Sequence, residues 1–358
     1  MRVALVHDYL NEYGGAERVL EALAEMWPEA PIYTAFAVPG SSAVRAFAGK
    51  KIITSWFGNI PFYNKLYSPL RFLIPWIWGS FDFSQYDLVI TSASWFITKG
   101  LGKKEICYCH TPPRWLYGYE TSIDWQKYWP VRMYAAIVGH FLRMYDFSQA
   151  QKVGVFVANS KNVAERIEKF YRRKSVVIYP PVEISNIRYP ISNKNYYLIV
   201  SRLVGGKGIE MAVEAAARAG FKLIIAGERA GMSNIQYPIS NNVKFVGRVS
   251  DEEETRLMAG ARGFLALARD EDFGITPVEA QMCGTPVIAF NGGGYRETVI
   301  DGKTGVVFDD YSVEGLIGAV REFGEIKWDR TAIRKHAQRF SKKVFIDKMK
   351  KLCQSYLK

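Results

Sequence analysis

The chain has 358 residues, 49% of them hydrophobic and 23% charged, which is ordinary globular usage and excludes a largely disordered polymer. That length exceeds one ordinary core and suits two domains of about 150 residues each. The net charge of +12 makes the surface attractive to anions such as nucleotides, phosphorylated lipids or an anionic leaflet, while four cysteines without a C-x-x-C pair offer neither a disulfide framework nor a zinc site.

In chain order, MRVALVHDYL carries a charge inside a short apolar run, so it reads as a buried first strand rather than a signal peptide, and a cytoplasmic protein is expected. Gly14-Gly15-Ala16-Glu17-Arg18 then opens a helix. Its glycines permit tight backbone approach at a helix N-terminus. The run is not G-x-G-x-x-G and no acidic residue follows at the dinucleotide spacing, so it fits nicotinamide binding poorly. Glu17 also reads simply as a first-turn acid complementing the helix dipole.

From Ala30 to Phe81 there is no Asp or Glu, while Arg45, Lys50, Lys51, Lys65 and Arg71 interleave with Trp56, Phe57, Phe62, Tyr63, Tyr67, Phe72, Trp76, Trp78 and Phe81. Such composition suits a segment lying in a membrane interface, and its apolar runs, broken by Pro61, Pro69 and Pro75, are too short to span a bilayer. Two readings stand: residues 45–81 meet an anionic membrane, or the aromatics pack a core beneath a basic surface. A second aromatic-basic stretch, Trp125 to Arg143, leans toward the membrane.

DLVITSA and EICYCH are the next strand-like runs, with Cys107 and Cys109 alternating along the latter as buried thiols. His110 ends that run, before Thr111-Pro112-Pro113-Arg114-Trp115, at the carboxyl end of a strand where open α/β sheets form sites. A lone histidine there has a structural reading too. Arg114, Trp115 and Tyr117 are candidates to line a ligand at that strand end. After VGVFVANS and VVIYP, the breaker Tyr179-Pro180-Pro181 and a polar segment from Glu183 to Asn195 set a boundary near residue 182.

The succession restarts with YYLIVSRL, KLIIAGE, VKFVGRV, GFLALAR and TPVIAF. Continuous rather than alternating apolarity marks strands covered on both faces, hence parallel sheets and an α/β fold. The domains expected are 1–182, 183–335, and a terminal helical stretch, 336–358, returning to the first domain. A near-repeat, Ser185–Asn193 and Ser233–Asn241, is too short and turn-like for a solenoid.

Two segments of the second half carry chemistry. Val200-Ser-Arg-Leu-Val-Gly-Gly-Lys-Gly208 puts Arg202 and Lys207 on a glycine-rich loop, where two cations can neutralise a diphosphate without a metal. Glu271-Asp-Phe-Gly-Ile-Thr-Pro-Val-Glu279 follows a strand and starts a helix. Thr276, Pro277 and Glu279 fit an N-cap, an N1 proline and the acid of a capping box, an arrangement that needs no ligand. The free N–H groups of this turn favour an anion, and a neighbouring carboxylate can accept hydrogen bonds from sugar hydroxyls. Asp270-Glu271-Asp272 spells the D-x-D metal motif, but it falls late in the chain and overlaps the glutamate pattern.

EDFGITPVEAQMCGTPVIAF resembles the signature of glycosyltransferase family four, retaining enzymes of the GT-B fold in which two glutamates eight positions apart bracket the donor. The resemblance implies two Rossmann-like domains with parallel sheets facing across a cleft. It implies that Glu271 holds hydroxyls of the transferred sugar, assisted by the backbone at Phe273, Gly274 and Ile275, and that Glu279 grips the ribose. It also implies that Arg202 and Lys207 bind the diphosphate, that Gly247 of the Phe245-Val-Gly247 turn and the adjoining Arg248 lie near the base, that Gly14 and Gly15 face the donor phosphate and acceptor, that Glu17, Arg114, Trp115 and Tyr117 line the acceptor, and that His110 stands close to the sugar. The interdomain Tyr179-Pro-Pro-Val-Glu183 departs from the family's more usual Asn-Gly turn.

GGAER and EDFGITPVEA are most similar to mannosyltransferases of surface-polysaccharide or lipid-linked oligosaccharide assembly, which implies GDP-mannose as donor, a lipid-linked glycan as acceptor, no metal, and a peripheral position on the inner face of the cytoplasmic membrane. An epimerase of the same fold is the alternative within enzymes. No helix-turn-helix or RNA-recognition signature supports a nucleic-acid partner.

Overall fold

The computed structural model describes residues 1–119, 128–184, 195–228 and 241–357. The near-repeat, apart from Asn241, and residues 125–127 of the second aromatic-basic stretch lie outside the described residues.

Two compact units result. Among the described residues the first takes 1–119, 128–181 and 342–357, and the second takes Val182–Ser341. The first boundary thus falls at residues 181/182. The return to the first unit comes at Lys342 rather than at residue 336, because the chain up to Phe340 is fastened to the second unit. Arg330 donates to Ala261 O at 3.2 Å, Arg334 donates to Cys283 O at 3.1 Å, and the Phe340 ring meets that of Phe273 at 5.5 Å.

The first unit carries a parallel sheet of β1 (Val3–His7), β2 (Ile32–Thr34), β3 (Ile52–Thr54), β4 (Leu88–Ala93), β5 (Glu105–Cys109), β6 (Val155–Ala158) and β7 (Ser175–Val177), in the order 3-2-1-4-5-6-7. All residues of β1, β4 and β5 are buried, as expected of central strands with helices on both faces. The order reverses between β1 and β4, so a crevice opens beyond their carboxyl ends.

The second unit repeats the plan with β8 (Tyr197–Val200), β9 (Leu223–Ala226), β10 (Val243–Gly247), β11 (Gly263–Ala266), β12 (Val287–Phe290) and β13 (Gly305–Phe308), ordered 10-9-8-11-12-13 and parallel throughout. Here the reversal lies between β8 and β11. Both units are therefore doubly wound, Rossmann-like α/β domains.

The aromatic-basic segment divides between the two roles open to it. Phe57 and Trp78 are buried and Tyr63, Tyr67 and Phe81 half-buried, whereas Trp56, Phe62, Phe72 and Trp76 are exposed. The helix Trp129–Lys152 divides in the same way. It turns Gly139, Leu142 and Ala150 inward and leaves Trp129, Met133, Ile137, Phe141 and Met144 exposed. It is anchored by Asp146, fully buried, which pairs with Lys99 Nζ and accepts the Tyr117 hydroxyl at 2.7 Å. All four cysteines are buried free thiols.

The terminal helix Lys342–Leu357 belongs to the first core. Phe345, Met349 and Cys353 are buried, the Phe345 ring meets Tyr108 at 5.8 Å, and Lys342 pairs with Glu25 at 2.6 Å. Near its end the Tyr356 hydroxyl lies only 1.8 Å from where a Cβ on Gly154 would stand, with Glu105 O at 2.9 Å. Gly154→Ala should therefore destabilise the protein by about 1–3 kcal/mol through overpacking. The control Gly79→Ala, with nothing within 4 Å of the added carbon, should leave stability nearly unchanged. Urea unfolding of both variants checks this; equal effects would refute the close-approach reading.

Candidate functional site

Each unit presents chemistry at its own strand-order reversal. In the first, His7 closes β1, and its register partner on β4 is Ser92. The Ser92 hydroxyl lies 3.0 Å from His7 Nδ1 and 2.8 Å from His110 Nε2. On the other side of His7, Nε2 meets Glu17 Oε1 at 3.2 Å, while Glu17 Oε2 accepts the Gly14 N–H at 2.9 Å. Glu17, His7, Ser92 and His110 thus form one buried chain across the ends of β1, β4 and β5, reaching the glycine-rich turn. Beside it Asp8 accepts the N–H groups of Ser94 (3.0 Å) and Trp95 (2.5 Å) and the Thr98 hydroxyl, which fixes the loop after β4.

Burial is the largest single influence on each of these protonation equilibria, but not always the deciding one. For His7 burial opposes charge, but the hydrogen bond and negative charge of Glu17 outweigh it and raise the imidazole above its ordinary value. Burial likewise works to raise Glu17, yet its contact with His7 brings the carboxyl below the usual range. His110 has no such partner, so burial, helped by the positive charge of His7, lowers it to about 3. It is neutral at physiological pH. Burial also raises the Asp8 carboxyl.

In the second unit the loops after β8 and β11 converge. Lys207 Nζ donates to Glu271 Oε2 at 2.6 Å, with both side chains partly accessible, and the Tyr295 hydroxyl lies 3.5 Å from the same oxygen. Gly206 (φ 79°) and Gly208 (φ 69°) turn the β8 loop, and Gly208 precedes the helix Ile209–Ala219. The backbone around Glu271 is seated on the turn after β12. Cβ atoms on Gly292, Gly293 and Gly294 would stand 2.3 Å from Arg269 O, 2.1 Å from Glu271 O and 2.4 Å from Phe273 Cα. Gly294 N–H donates to Glu271 O at 2.8 Å.

The helix after this loop is Ile275–Met282, and its N-cap is Gly274 at φ 86°. This corrects the capping-box expectation: Ile275 and Thr276 occupy the first two helical positions, and Glu279 lies in the second turn, 4% exposed. The left-handed conformation at Gly274 starts the helix two residues early. Phe273 is buried against Phe340, so only its backbone is available to a ligand. Arg202 is exposed on the β8 loop, and Gly247 (φ 71°) and Arg248 are exposed at the end of β10.

On the expected acceptor side, Trp115 donates its indole N–H to Trp95 O at 3.1 Å and carries the Arg71 guanidinium over its ring, while Tyr117 stacks on Phe170 at 4.2 Å. Both are engaged in their own unit. Arg114 accepts through its carbonyl from Tyr117 and Tyr119 N–H. Among the described residues no three His, Cys, Asp or Glu side chains gather as metal ligands, the Asp270–Asp272 run included. His7, Ser92, Tyr295 and Gly292–Gly294 escape a motif search. Their one sequence signal is position, since each polar group or glycine stands at or just beyond the carboxyl end of an apolar strand.

A cation–carboxylate pair beside glycine-capped helix starts, at the strand-order reversal of a doubly wound unit, suits anionic, hydroxylated ligands. Comparison with known proteins narrows this further. Residues 13–186 match the family model described as Glycosyltransferase Family 4, and residues 183–343 match that of the Glycosyl transferases group 1. The chain is a glycosyltransferase of the GT-B type and belongs to family four.

An uncharacterized glycosyltransferase of Methanocaldococcus jannaschii is 26% identical over 58% of this chain and 59% of its own length. The alpha-1,3/1,6-mannosyltransferase ALG2 of Rhizomucor pusillus is 24% identical over 77% of this chain and 71% of its own. Among solved structures, Anabaena HepE in complex with UDP and glucose superposes with a TM-score of 0.70 at 19% identity, covering 99% of this chain and 100% of that one.

The His110 environment predicts an acid response. Its folded-state pKa of about 3 lies below the ordinary 6.5, so between those values the unfolded chain binds a proton that the folded chain does not, and stability falls as pH falls. His7 has the opposite sign: its contribution is complete below 6.5 and is lost as pH rises through its raised value. His110→Asn should therefore flatten the acid limb of unfolding free energy between pH 6.5 and 4 by up to about 1.4 kcal/mol per pH unit. Urea titrations across that range give the slope, and an unaltered slope would contradict a buried neutral His110.

Proposed function

We propose that the protein transfers mannose, with retention, from GDP-mannose to a lipid-linked or polysaccharide acceptor, and that it works as a peripheral protein on the inner face of the cytoplasmic membrane. The observation that carries the donor reading is the Lys207–Glu271 pair at 2.6 Å, at the strand-order reversal where open α/β sheets take ligands. Lys207 and Arg202 neutralise the leaving diphosphate without a metal. Glu271 and the backbone of Gly274 and Ile275 hold the sugar as positive charge develops on its anomeric carbon, with His110 contributing a ring nitrogen. Glu279 holds the ribose, and Gly247 and Arg248 flank the base. The departing phosphate receives the acceptor proton on the same face, which gives retention without a protein nucleophile. Mannose is supported by the similarity to ALG2.

Calorimetric titration with GDP, UDP and their sugar conjugates, without metal, tests this. Wild type should select GDP, Glu279→Ala should bind it roughly 10–100-fold more weakly, and Lys207→Ala should lower kcat by about 10²–10³. UDP selectivity would replace the donor. Conversion of the donor with no acceptor present would replace transfer by epimerisation.

The membrane reading is supported by two neighbouring surfaces of the first unit, residues 45–81 and the outer stripe of the helix Trp129–Lys152. Trp129 and Phe141 are each 65% exposed, Trp76 63% and Phe62 72%, and Tyr134 donates its hydroxyl to Pro69 O, which joins the two. The exposed charges of these two segments are Arg45, Lys51, Lys65, Arg132, Arg143 and Lys152, all basic, and the carboxylate of the helix, Asp146, is buried. An apolar face with only basic neighbours suits an anionic leaflet. No described helix is long and apolar enough to cross a membrane. The triple variant Met133→Asp, Ile137→Asp, Phe141→Asp should cut partition into phosphatidylglycerol-containing vesicles at least about tenfold while GDP binding persists. Unchanged partition would remove this face from the membrane reading.

A further inference from the structure

We infer that Glu17, His7 and Ser92 form a proton-operated selector that decides which ring nitrogen of His110 carries hydrogen, and so whether His110 Nδ1 offers a ligand a donor or a lone pair. The use of His110 at the transferred sugar rests on the function proposed above; the selector itself does not.

The argument is one of hydrogen-bond accounting along four groups in fixed contact. An ionised Glu17 is an acceptor only, so the His7 Nε2 that meets it at 3.2 Å carries hydrogen whatever the charge of His7. The state of His7 is therefore read at Nδ1, 3.0 Å from Ser92 Oγ. Ser92 has a single hydroxyl hydrogen to share between two imidazoles.

When His7 is charged, its Nδ1–H donates to Ser92, the Ser92 hydroxyl donates to His110 Nε2 at 2.8 Å, and neutral His110 carries its hydrogen on Nδ1. When His7 is neutral, its bare Nδ1 accepts the Ser92 hydroxyl, His110 donates Nε2–H to Ser92, and His110 Nδ1 becomes a lone pair. Proton by proton, the change to the charged state takes one proton from solvent at His7 Nδ1. The Ser92 hydrogen turns from His7 to His110, and His110 releases one ring hydrogen and takes one on the other nitrogen. The net uptake is one proton, and His110 never becomes charged.

Several features favour this operation. His110 Nδ1 has no hydrogen bond to another described residue, so it is the nitrogen left for a ligand. Position is enforced by the sheet, because His7 and Ser92 are register partners and His110 N–H donates to Ala93 O at 2.9 Å. The groups facing the two rings are Glu17 from the first helix, Asp8 from the end of β1, Ser92 from β4, and Tyr108 from β5, whose ring lies 5.1 Å from that of His110. Asp8 is held by the loop after β4, so Glu17 is the partner that sets the charge of His7. The Glu17 contact raises the His7 equilibrium, so the changeover lies above the ordinary imidazole value. His7 and Ser92 are thus positioning residues that act through His110.

The chain has four histidines, so ¹⁵N-histidine labelling of the full-length protein and long-range ¹⁵N–¹H correlation report every ring tautomer separately. Without donor, His110 should pass from the Nδ1–H to the Nε2–H form with the same pH midpoint at which His7 loses its charge. Ser92→Ala should leave His7 titrating but abolish the coupled change at His110, and Ser92→Thr, which keeps the hydroxyl, should restore it. Glu17→Gln, which removes the charge while keeping the shape, should lower both midpoints together by at least about one pH unit. A His110 tautomer that stays constant through the His7 titration, or one that still follows it in Ser92→Ala, would overturn the selector. In turnover assays a pH limb at the same midpoint supports the full proposal. Coupling in the spectra with no such limb confirms the selector and removes His110 from the transferred sugar.

Discussion

Parallel pairing of short, fully buried strands is the constraint on which the rest depends. A strand with both faces covered has only its ends for polar chemistry, and parallel pairing sends all the carboxyl ends to one edge of the sheet. Reversal of strand order then parts two neighbouring loops and leaves a space between them. In the first unit the space falls beside His7, Ser92 and His110; in the second it falls beside Lys207 and Glu271. The same topology used twice gives two differently charged sites, one a neutral-to-cationic histidine chain and the other a cation–carboxylate pair.

What surrounds these groups decides how they behave. Three consecutive glycines after β12 let the backbone of residues 269–273 approach more closely than any side chain would allow, so the orientation of Glu271 is set by main chain on main chain. His7 and His110 show the same economy: one serine oxygen separates them, yet their equilibria move in opposite directions because only His7 touches a carboxylate. Burial alone would have neutralised both.

Much of this was legible in the sequence, and the gaps have physical causes. Ten strands showed as continuous apolar runs. The three that did not are β2, β3 and β13; they are no shorter than β7, but β2 and β3 fall inside the acid-free stretch from Ala30 to Phe81, whose aromatic and basic composition masks them. The Arg202–Lys207 loop and the two glutamates were visible through motif spacing, but spacing could not show that Gly274, rather than Thr276, starts the helix, because that depends on a left-handed φ. Tyr117 looked available for an acceptor because Asp146, 29 residues away, is brought to its hydroxyl only by the fold. The split of the aromatic segment into buried and exposed halves was equally hidden, since its short turns have no single period.

The terminal helix has a consequence for synthesis. Its residues Phe345, Met349 and Cys353 fill the core that β1 and the first helix begin, so the unit begun before the other is completed after it. The second unit, closed by Ser341, has its whole sequence available before the first does. On the ribosome the order of completion is therefore the reverse of the order of translation. The early unit must wait with an unfinished apolar face, a state prone to aggregation, until the final helix emerges.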